Sequence, residues 1–326
     1  MAENTITGLI PEIYEALDIV SRELTGMIPS ATMNASSNTA AVGQAIRIDV
    51  EPAGNVSNIA PAMTVPDPTG QTSGFTDIII TKSRAAEFGF LGEDQKGLNT
   101  GAGYGTVRAN KIAQAIRAVT NEVETDLCGL QSTFSRAHGT AGTAPFGTAN
   151  DYTDASNVLK ILKDNGSPLQ DNQLVINTTA GVNLLGKQAA VADAGSDSIL
   201  RQGVLLDING MPIRESAQIV DQAAGGIAGA ATTNAAGYAV GATVLTLAAG
   251  GTGNVVAGDV LTFAGDTNKY VVASAVFAGV NPANGDTITL AAPGLRVAMT
   301  AATKAITKIA ASSRNMAFNR SAIVLA

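Results

Sequence analysis

Apolar and polar residues alternate along the chain in several rhythms, and each rhythm predicts a different element. Leu9, Ile10, Ile13, Leu17, Val20 and Leu24 fall on one side of a helix, with Pro11 tolerated in its first turn and Gly26 and Pro29 ending it. The small, polar stretch SATMNASSNTAAVGQ reads as an extended arm or as an ordinary surface loop. In QAIRIDVEP, Ile46, Ile48 and Val50 alternate with Arg47, Asp49 and Glu51, the period of a half-exposed strand. FTDIIITKSRAAEFGFLG is a second such run, and between the two Pro61, Pro66 and Pro68 forbid helix interior and central strand alike. The result is an extended two-stranded flap with a long irregular tip. A lone hairpin is marginal in water because no second layer covers its apolar face, so the flap needs a partner, unless its own domain covers it as an edge hairpin.

The strongest periodic signal follows Gly105. Val107, Ile112, Ile116, Val119, Val123, Leu127, Leu130 and Phe134 predict one long helix, closed by Gly139. Arg108, Lys111 and Arg117 precede Glu122, Glu124 and Asp126, opposite to the order the helix dipole favours. These charges either meet other elements or chains, or form a solvated face. A mixed α/β pattern comes next. It has a helix with Val158, Leu159 and Leu162, a buried strand QLVINT, and a helix opening at TTAGVNLLGKQAAV with Thr178 or Thr179 as cap. GVLLDINGMPIRES reads as a hairpin turning at Asn209-Gly210. The Gly/Ala-rich DQAAGGIAGAATTNAAG reads as a flexible linker. After it TVLTLAA, DVLTFAG, KYVVASAVF, DTITLAA and GLRVAM are short strands parted by turn residues, as in a small β-barrel or sandwich. The closing SSRNMAFNRSAIVLA leaves that pattern and suits a return to the α/β unit, which makes the β unit an insertion.

Composition sharpens this picture. The chain has 326 residues, 35 of them Gly, with 4% aromatic and 14% charged residues. Small side chains bury little apolar area each, and burial stabilises by only about 25 cal/mol per Å², so a lone subunit is expected to draw stability from neighbours. A net charge of -7 argues against a basic stripe for nucleic acid. Cys128 is the single Cys and His138 the single His, which removes intramolecular disulfides and nearly every protein-derived zinc site. The opening MAENTITGLIPEIYEALDIV has neither the basic start nor the apolar core of a secretion signal, and no run of about 20 apolar residues suits a bilayer. A soluble chain made in the cytosol is expected.

Candidate chemistry is sparse. His138 lies in a Gly/Ala/Thr-rich turn with no nucleophile beside it in sequence. GAGYG, from Gly101 to Gly105, lacks a preceding buried strand and reads as a hinge. Glu93 with Asp94, and Glu122 with Glu124, lack an apolar setting and read as solvated. Asp266 and Asp286 serve turns, without calcium-loop spacing. The expectation is a protein with no catalytic residue, no cofactor and no metal site.

The order of parts is more informative than any motif. Helical arm, flap, spine helix, α/β unit, inserted β unit and return segment together resemble the α+β Hong Kong-type capsid fold of tailed bacteriophages. GDVLTFAG in the inserted unit and NMAFNRSAIVLA at the close are more narrowly similar to the Salmonella podophage coat-protein family. The resemblance implies an N-terminal arm over 1–43, an E-loop hairpin over 44–92, a P-domain with spine helix over 93–150 and an A-domain over 151–222. It implies further an inserted β-barrel over 237–307 and a C-terminal return to the core over 308–326. The function implied is a major capsid protein, arranged as pentamers and hexamers in an icosahedral head shell around double-stranded DNA. Partners would be other copies, scaffolding and portal proteins, and a decoration protein where one binds, with DNA touched only nonspecifically and no membrane involved. Assembly would take place in the bacterial host cytoplasm, by way of a procapsid. A tail or decoration protein, or a secreted surface-layer or adhesin protein, are the alternatives.

The residues expected at a subunit interface belong to the flap. Ile46, Ile48, Ile78 and Ile80 offer an apolar grip, and Arg47, Asp49, Asp77, Lys82 and Arg84 are the polar partners.

Overall fold

The computed structural model describes residues 24–34, 42–51, 54, 73–87, 89, 104–148, 151–187, 205 and 207–325. The predicted N-terminal helix, the proline-rich tip of the flap, Glu93, Asp94 and Gly101 to Gly103 lie outside them.

Helix α1, Tyr104–Gly129, buries Ile112, Ala113, Leu127 and Cys128. Tyr104 and Gly105 belong to its first turn, so the hinge expected of that glycine stretch starts inside a helix at these two residues. The helix also stops short of the predicted end at Gly139. A 3-10 turn, Leu130–Ser132, follows it, and the Ser132 and Thr133 hydroxyls donate back to the carbonyls of Gly129 and Leu130. Such local bonds offer the backbone an alternative to the helix. Phe134 therefore lies beyond α1, packed edge-on against Phe318 with ring centroids 6.0 Å apart.

A three-stranded sheet lies at the centre. Its middle strand, Asn172–Ile176, is buried at every position. Met316–Asn319 pairs with it antiparallel on one side and Ile213–Glu215 parallel on the other. Successive side chains of a strand point to opposite faces, and both faces here are covered. Val175 joins Met27, Leu127, Cys128, Met316 and Phe318 in one core. Leu174 and Ile176 join Ala155, Ala180, Leu184 and Met211 in another. Helices α2, Thr153–Asp164, and α3, Thr178–Lys187, supply Ala155, Ala180 and Leu184. The cap of α3 is neither Thr178 nor Thr179: Asn177 Oδ1 accepts the Ala180 N–H at 2.9 Å. The residue before the helix is the one placed to reach a free first-turn amide. Asn209 and Gly210 do take positive φ, 55° and 74°, in a tight turn. The predicted hairpin goes no further than the Ile208–Met211 pair, because after Pro212 the strand Ile213–Glu215 runs parallel to the central strand instead of folding back.

A separate antiparallel sheet has six strands: Arg136–Ala137, Val244–Thr246, Val260–Phe263, Lys269–Val276, Thr287–Leu290 and Ile306–Lys308. Leu245, Leu261, Tyr270, Val272, Ile288 and Leu295 fill its core. Two expectations are corrected. GLRVAM is not a strand: Gly294 turns with φ +81° against the carbonyls of Gly241 and Ala242, and the last strand comes later, at Ile306–Lys308. The Gly/Ala-rich stretch from Asp221 to Gly237 is no loose linker either. Ile227 and Ala231 are buried, and Ala228, Thr232 and Thr233 make bridges to Thr252, Ala305 and Leu247. Its small residues allow close backbone approach. A Cβ on Gly225 would sit 2.5 Å from the Asn254 carbonyl oxygen.

One buried carboxylate ties the N-terminal segment to α1. Glu124 accepts the N–H groups of Gly26 (2.7 Å) and Met27 (2.8 Å) through one oxygen, and that of Ile28 (3.0 Å) through the other. It caps the 3-10 turn Ile28–Ser30 from a distant helix and has no exposed surface. The chain then runs into a short strand, Thr32–Met33, parallel to Val324–Leu325. Removing the carboxylate in Glu124→Ala is expected to lower unfolding free energy by at least about 3 kcal/mol, because each buried N–H left unsatisfied costs about 1–3 kcal/mol. Urea denaturation monitored by circular dichroism measures this, with exposed Asn110→Ala as a near-neutral control. Gly26→Ala tests the same junction. Its Cβ would lie 2.7 Å from the Glu215 carbonyl oxygen and 2.8 Å from Val175 Cγ1, an overpacking worth about 1–3 kcal/mol in the same titration.

Candidate subunit interface

The flap strands pair as a two-stranded antiparallel ribbon, Ala45–Val50 against Gly74–Ile79, which shares no strand with the other sheets. The register sets Ile46 opposite Ile78, Arg47 opposite Asp77, Ile48 opposite Thr76 and Asp49 opposite Phe75. Directly opposed residues share a face, so the ribbon has two unlike sides. Ile46 is buried on one side, with Ile48 and Ile78 half-buried beside it. Ile80, half-buried, extends the ladder by donating to Gln44 and accepting from Gly43.

The other side carries a compact polar and aromatic cluster. Arg47 Nε donates to Asp77 Oδ1 at 3.0 Å and its terminal nitrogen to Oδ2 at 3.4 Å. The guanidinium lies 3.6 Å from the centre of the Phe75 ring, where the face of the π-system attracts a cation. The hydrogen bond it donates to Asp77, with the charges of Asp77 and Asp49 adding, raises Arg47 above its ordinary pKa. Phe75 and Ile79 flank this pair with 56% and 57% of their surface exposed. These are large apolar side chains held in the open on the ribbon, with Arg47 lying over the Phe75 ring.

Lys82 and Arg84 act at the foot of the ribbon, within the chain. Lys82 Nζ lies 2.6 Å from Asp126 and 3.7 Å from Glu122, and Arg84 Nε lies 2.9 Å from Glu122. The acids late on α1, unfavourable to its dipole, are thereby matched with cations from outside the helix. The reading of Glu122 and Glu124 as a solvated pair is corrected: Glu122 anchors the ribbon and Glu124 is buried under three amides.

The remaining candidates are occupied by the fold. His138 Nε2 lies 3.2 Å from Asn157 Nδ2 and 3.7 Å from Asp154, whose other oxygen accepts the Phe146 N–H. Asp266 accepts from Asn268 N–H and the Tyr270 hydroxyl, and Asp286 from the amides of Ala278 and Ala283. Burial, with Asp266 beside it, pushes the Tyr270 hydroxyl up to about 12. Cys128 is buried, 3.5 Å from the Ser216 hydroxyl, and desolvation pushes its thiol up to about 11. Among the described residues no three His, Cys, Asp or Glu side chains gather to hold a metal, and no helix is long and apolar enough to cross a membrane.

No family model matches the chain, and no curated protein does. Among solved structures it is similar to a chain of Mycobacterium phage Che8, at 14% identity and TM-score 0.45 over 91% of either chain. It is also similar to a chain in the capsid structure of the Cyanophage P-SCSP1u, at 14% identity and TM-score 0.40 over 90% of this chain and 88% of that one. Both likenesses are distant.

The buried thiol yields a pH prediction. A thiol whose pKa moves from 9.0 to about 11 on folding stays protonated in the folded chain while the unfolded chain loses its proton. Stability from this group is therefore full below pH 9 and declines as pH rises toward 11. Urea midpoints of the parent and Cys128→Ala, compared between pH 8 and pH 10.5, are expected to converge at the higher pH. A constant gap would contradict the shift.

Proposed function

We propose that the chain is the major capsid protein of a tailed bacteriophage, closing as pentamers and hexamers into an icosahedral shell that encloses double-stranded DNA. The observation that carries the reading is the ribbon. Its two strands reach no other sheet, and its outer side presents Phe75 and Ile79 to solvent. A two-stranded ribbon is marginal in water without a covering layer, and a second copy of the chain supplies one. Ion pairs to α1 fix the foot of the ribbon, so that the projecting part is presented at a set angle. Arg47, Asp77 and Asp49 then act as the polar rim around an apolar contact, with Ile46, Ile48, Ile78 and Ile80 stiffening the opposite side. The division into arm, E-loop, P-domain, A-domain and inserted β unit belongs to this proposal, as do scaffolding and portal partners and assembly in the host cytoplasm. The acidic chain holds packaged DNA by confinement and not by affinity.

Electron microscopy of the purified protein tests the assembly directly. Closed shells are expected; sheets would favour a surface layer, tubes a tail protein, and dispersed monomers would overturn all three. Phe75→Glu combined with Ile79→Lys is expected to abolish shells while leaving the urea midpoint of the subunit unchanged. Shells of normal yield from that variant would remove the ribbon from the interface.

A further inference from the structure

Charge thins out sharply in the β unit. From Gly225 to Gly258 there is no charged residue, and from Tyr270 to Leu295 the one that occurs, Asp286, is buried under the amides of Ala278 and Ala283. A soluble surface ordinarily carries about 25–35% Lys, Arg, Glu and Asp, and depletion of charge marks the core of a protein interface.

Strand register shows where the uncharged residues gather. Thr287–Leu290 lies between Val244–Thr246 and Lys269–Val276, antiparallel to both. Thr287 stands opposite Thr246 on one side and Val276 on the other, and Thr289 stands opposite Val244 and Ser274. Leu245 and Ile288 belong to the core and Ala275 packs against it, so by alternation these six point outward. Val276 is 67% exposed and Val244 51%. The outer face is therefore two rows of three, Thr246, Thr287 and Val276 above Val244, Thr289 and Ser274, with no charge among them.

The pattern of this grid selects its partner. Valines occupy one pair of opposite corners, and hydroxyls occupy the other pair and the middle. A two-fold axis laid between two such faces along the valine diagonal sets Val276 on Val276, Val244 on Val244, and Thr246 of one copy over Ser274 of the other. Axes along or across the strands put each valine over a hydroxyl instead. With strands about 4.8 Å apart and about 3.4 Å per residue, the diagonal lies about 55° from the strands, so the two sheets cross at about 70°, near the orthogonal class of sheet packing. Charge agrees with symmetry. A chain of net charge -7 repels its own copy in general, whereas here two copies meet with no charge to desolvate. An acidic or basic partner finds no counter-charge on this face.

We propose that this face pairs with the same face of a second copy about that diagonal axis, a self-complementary two-fold contact. The grid covers roughly 200 Å² by those spacings, against about 800 Å² per partner in a stable complex, so the contact is weak in dilute solution. It is separate from the ribbon contact and holds with or without a shell.

Cross-linking traps such a contact. The full chain carrying Phe75→Glu and Ile79→Lys keeps the test apart from assembly through the ribbon. Cys128 is buried and its thiol poorly ionised, so introduced thiols react alone at neutral pH. With a short bis-maleimide, Val276→Cys and Val244→Cys are each expected to form covalent dimers about tenfold faster than Val182→Cys, which is 68% exposed on α3, because pairing raises the effective concentration. In a mixture of the two variants, Thr246→Cys is expected to join Ser274→Cys at least about threefold faster than it joins itself. Adding Val244→Lys and Val276→Lys to both is expected to bring that mixed rate down to the Val182→Cys level, with urea midpoints unchanged. Val276→Cys no faster than Val182→Cys overturns the proposal; that is the result if the natural partner is a glycan or a different protein. So does Thr246→Cys joining itself as fast as it joins Ser274→Cys, or a mixed rate indifferent to the two lysines.

Discussion

Three backbone amides converging on the Glu124 carboxylate form the constraint on which the rest of this structure depends. A buried charge is tolerated only when its lone pairs are satisfied, and here the donors come from a segment almost a hundred positions earlier in the chain. The same two turns of α1 hold Glu122 and Asp126, which grip the foot of the ribbon through Arg84 and Lys82. One stretch of helix thus fixes the N-terminal segment inside the core and the ribbon outside it. The outward element takes its orientation from the inward one.

Burial on both faces of the central sheet follows from that junction. With Met27 pinned over Val175, the strand Asn172–Ile176 is covered on the side away from α2 and α3, and every position of it is enclosed. Gly26 passes close to the backbone of Glu215, so the segment is seated by lack of a side chain as much as by the bonds it makes.

The fold was legible in the sequence where periodicity was strong and local. The ribbon strands, α1, α2 and the middle strand of the central sheet follow directly from apolar spacing. Asn209-Gly210 gave its turn because few other residue pairs accept two positive φ angles. Where tertiary contacts override local preference, the reading failed. The Gly/Ala-rich stretch looks flexible by composition, yet small residues are what the tight backbone approaches at Gly225 and Gly251 require. The end of α1 was extended to Phe134 because an apolar residue at the right spacing cannot reveal that hydroxyls at Ser132 and Thr133 have redirected the backbone. At the candidate interface, the pairing of Arg47 with Asp77 could be inferred from strand register, and the stacking on Phe75 could not, since it depends on side-chain direction. Glu124, read from sequence as solvated, is buried under three amides. Its one signal was the inverted order of charges on α1, which marked the acids as needing partners without saying whether those would be cations or amides.

The bridge between Thr232 and Ala305 carries a consequence for inheritance. The two passes of chain that lead into and out of the intervening strands lie side by side there as a stem, and Arg136–Ala137, from the segment after α1, pairs with Lys269–Tyr270 as a second attachment. A genetic exchange that swaps the intervening stretch for a foreign one needs to match that stem and the edge that meets Arg136–Ala137. Loops such as the one around Val280, far along the chain from both passes, are free to diverge rapidly while the remainder of the molecule keeps its shape.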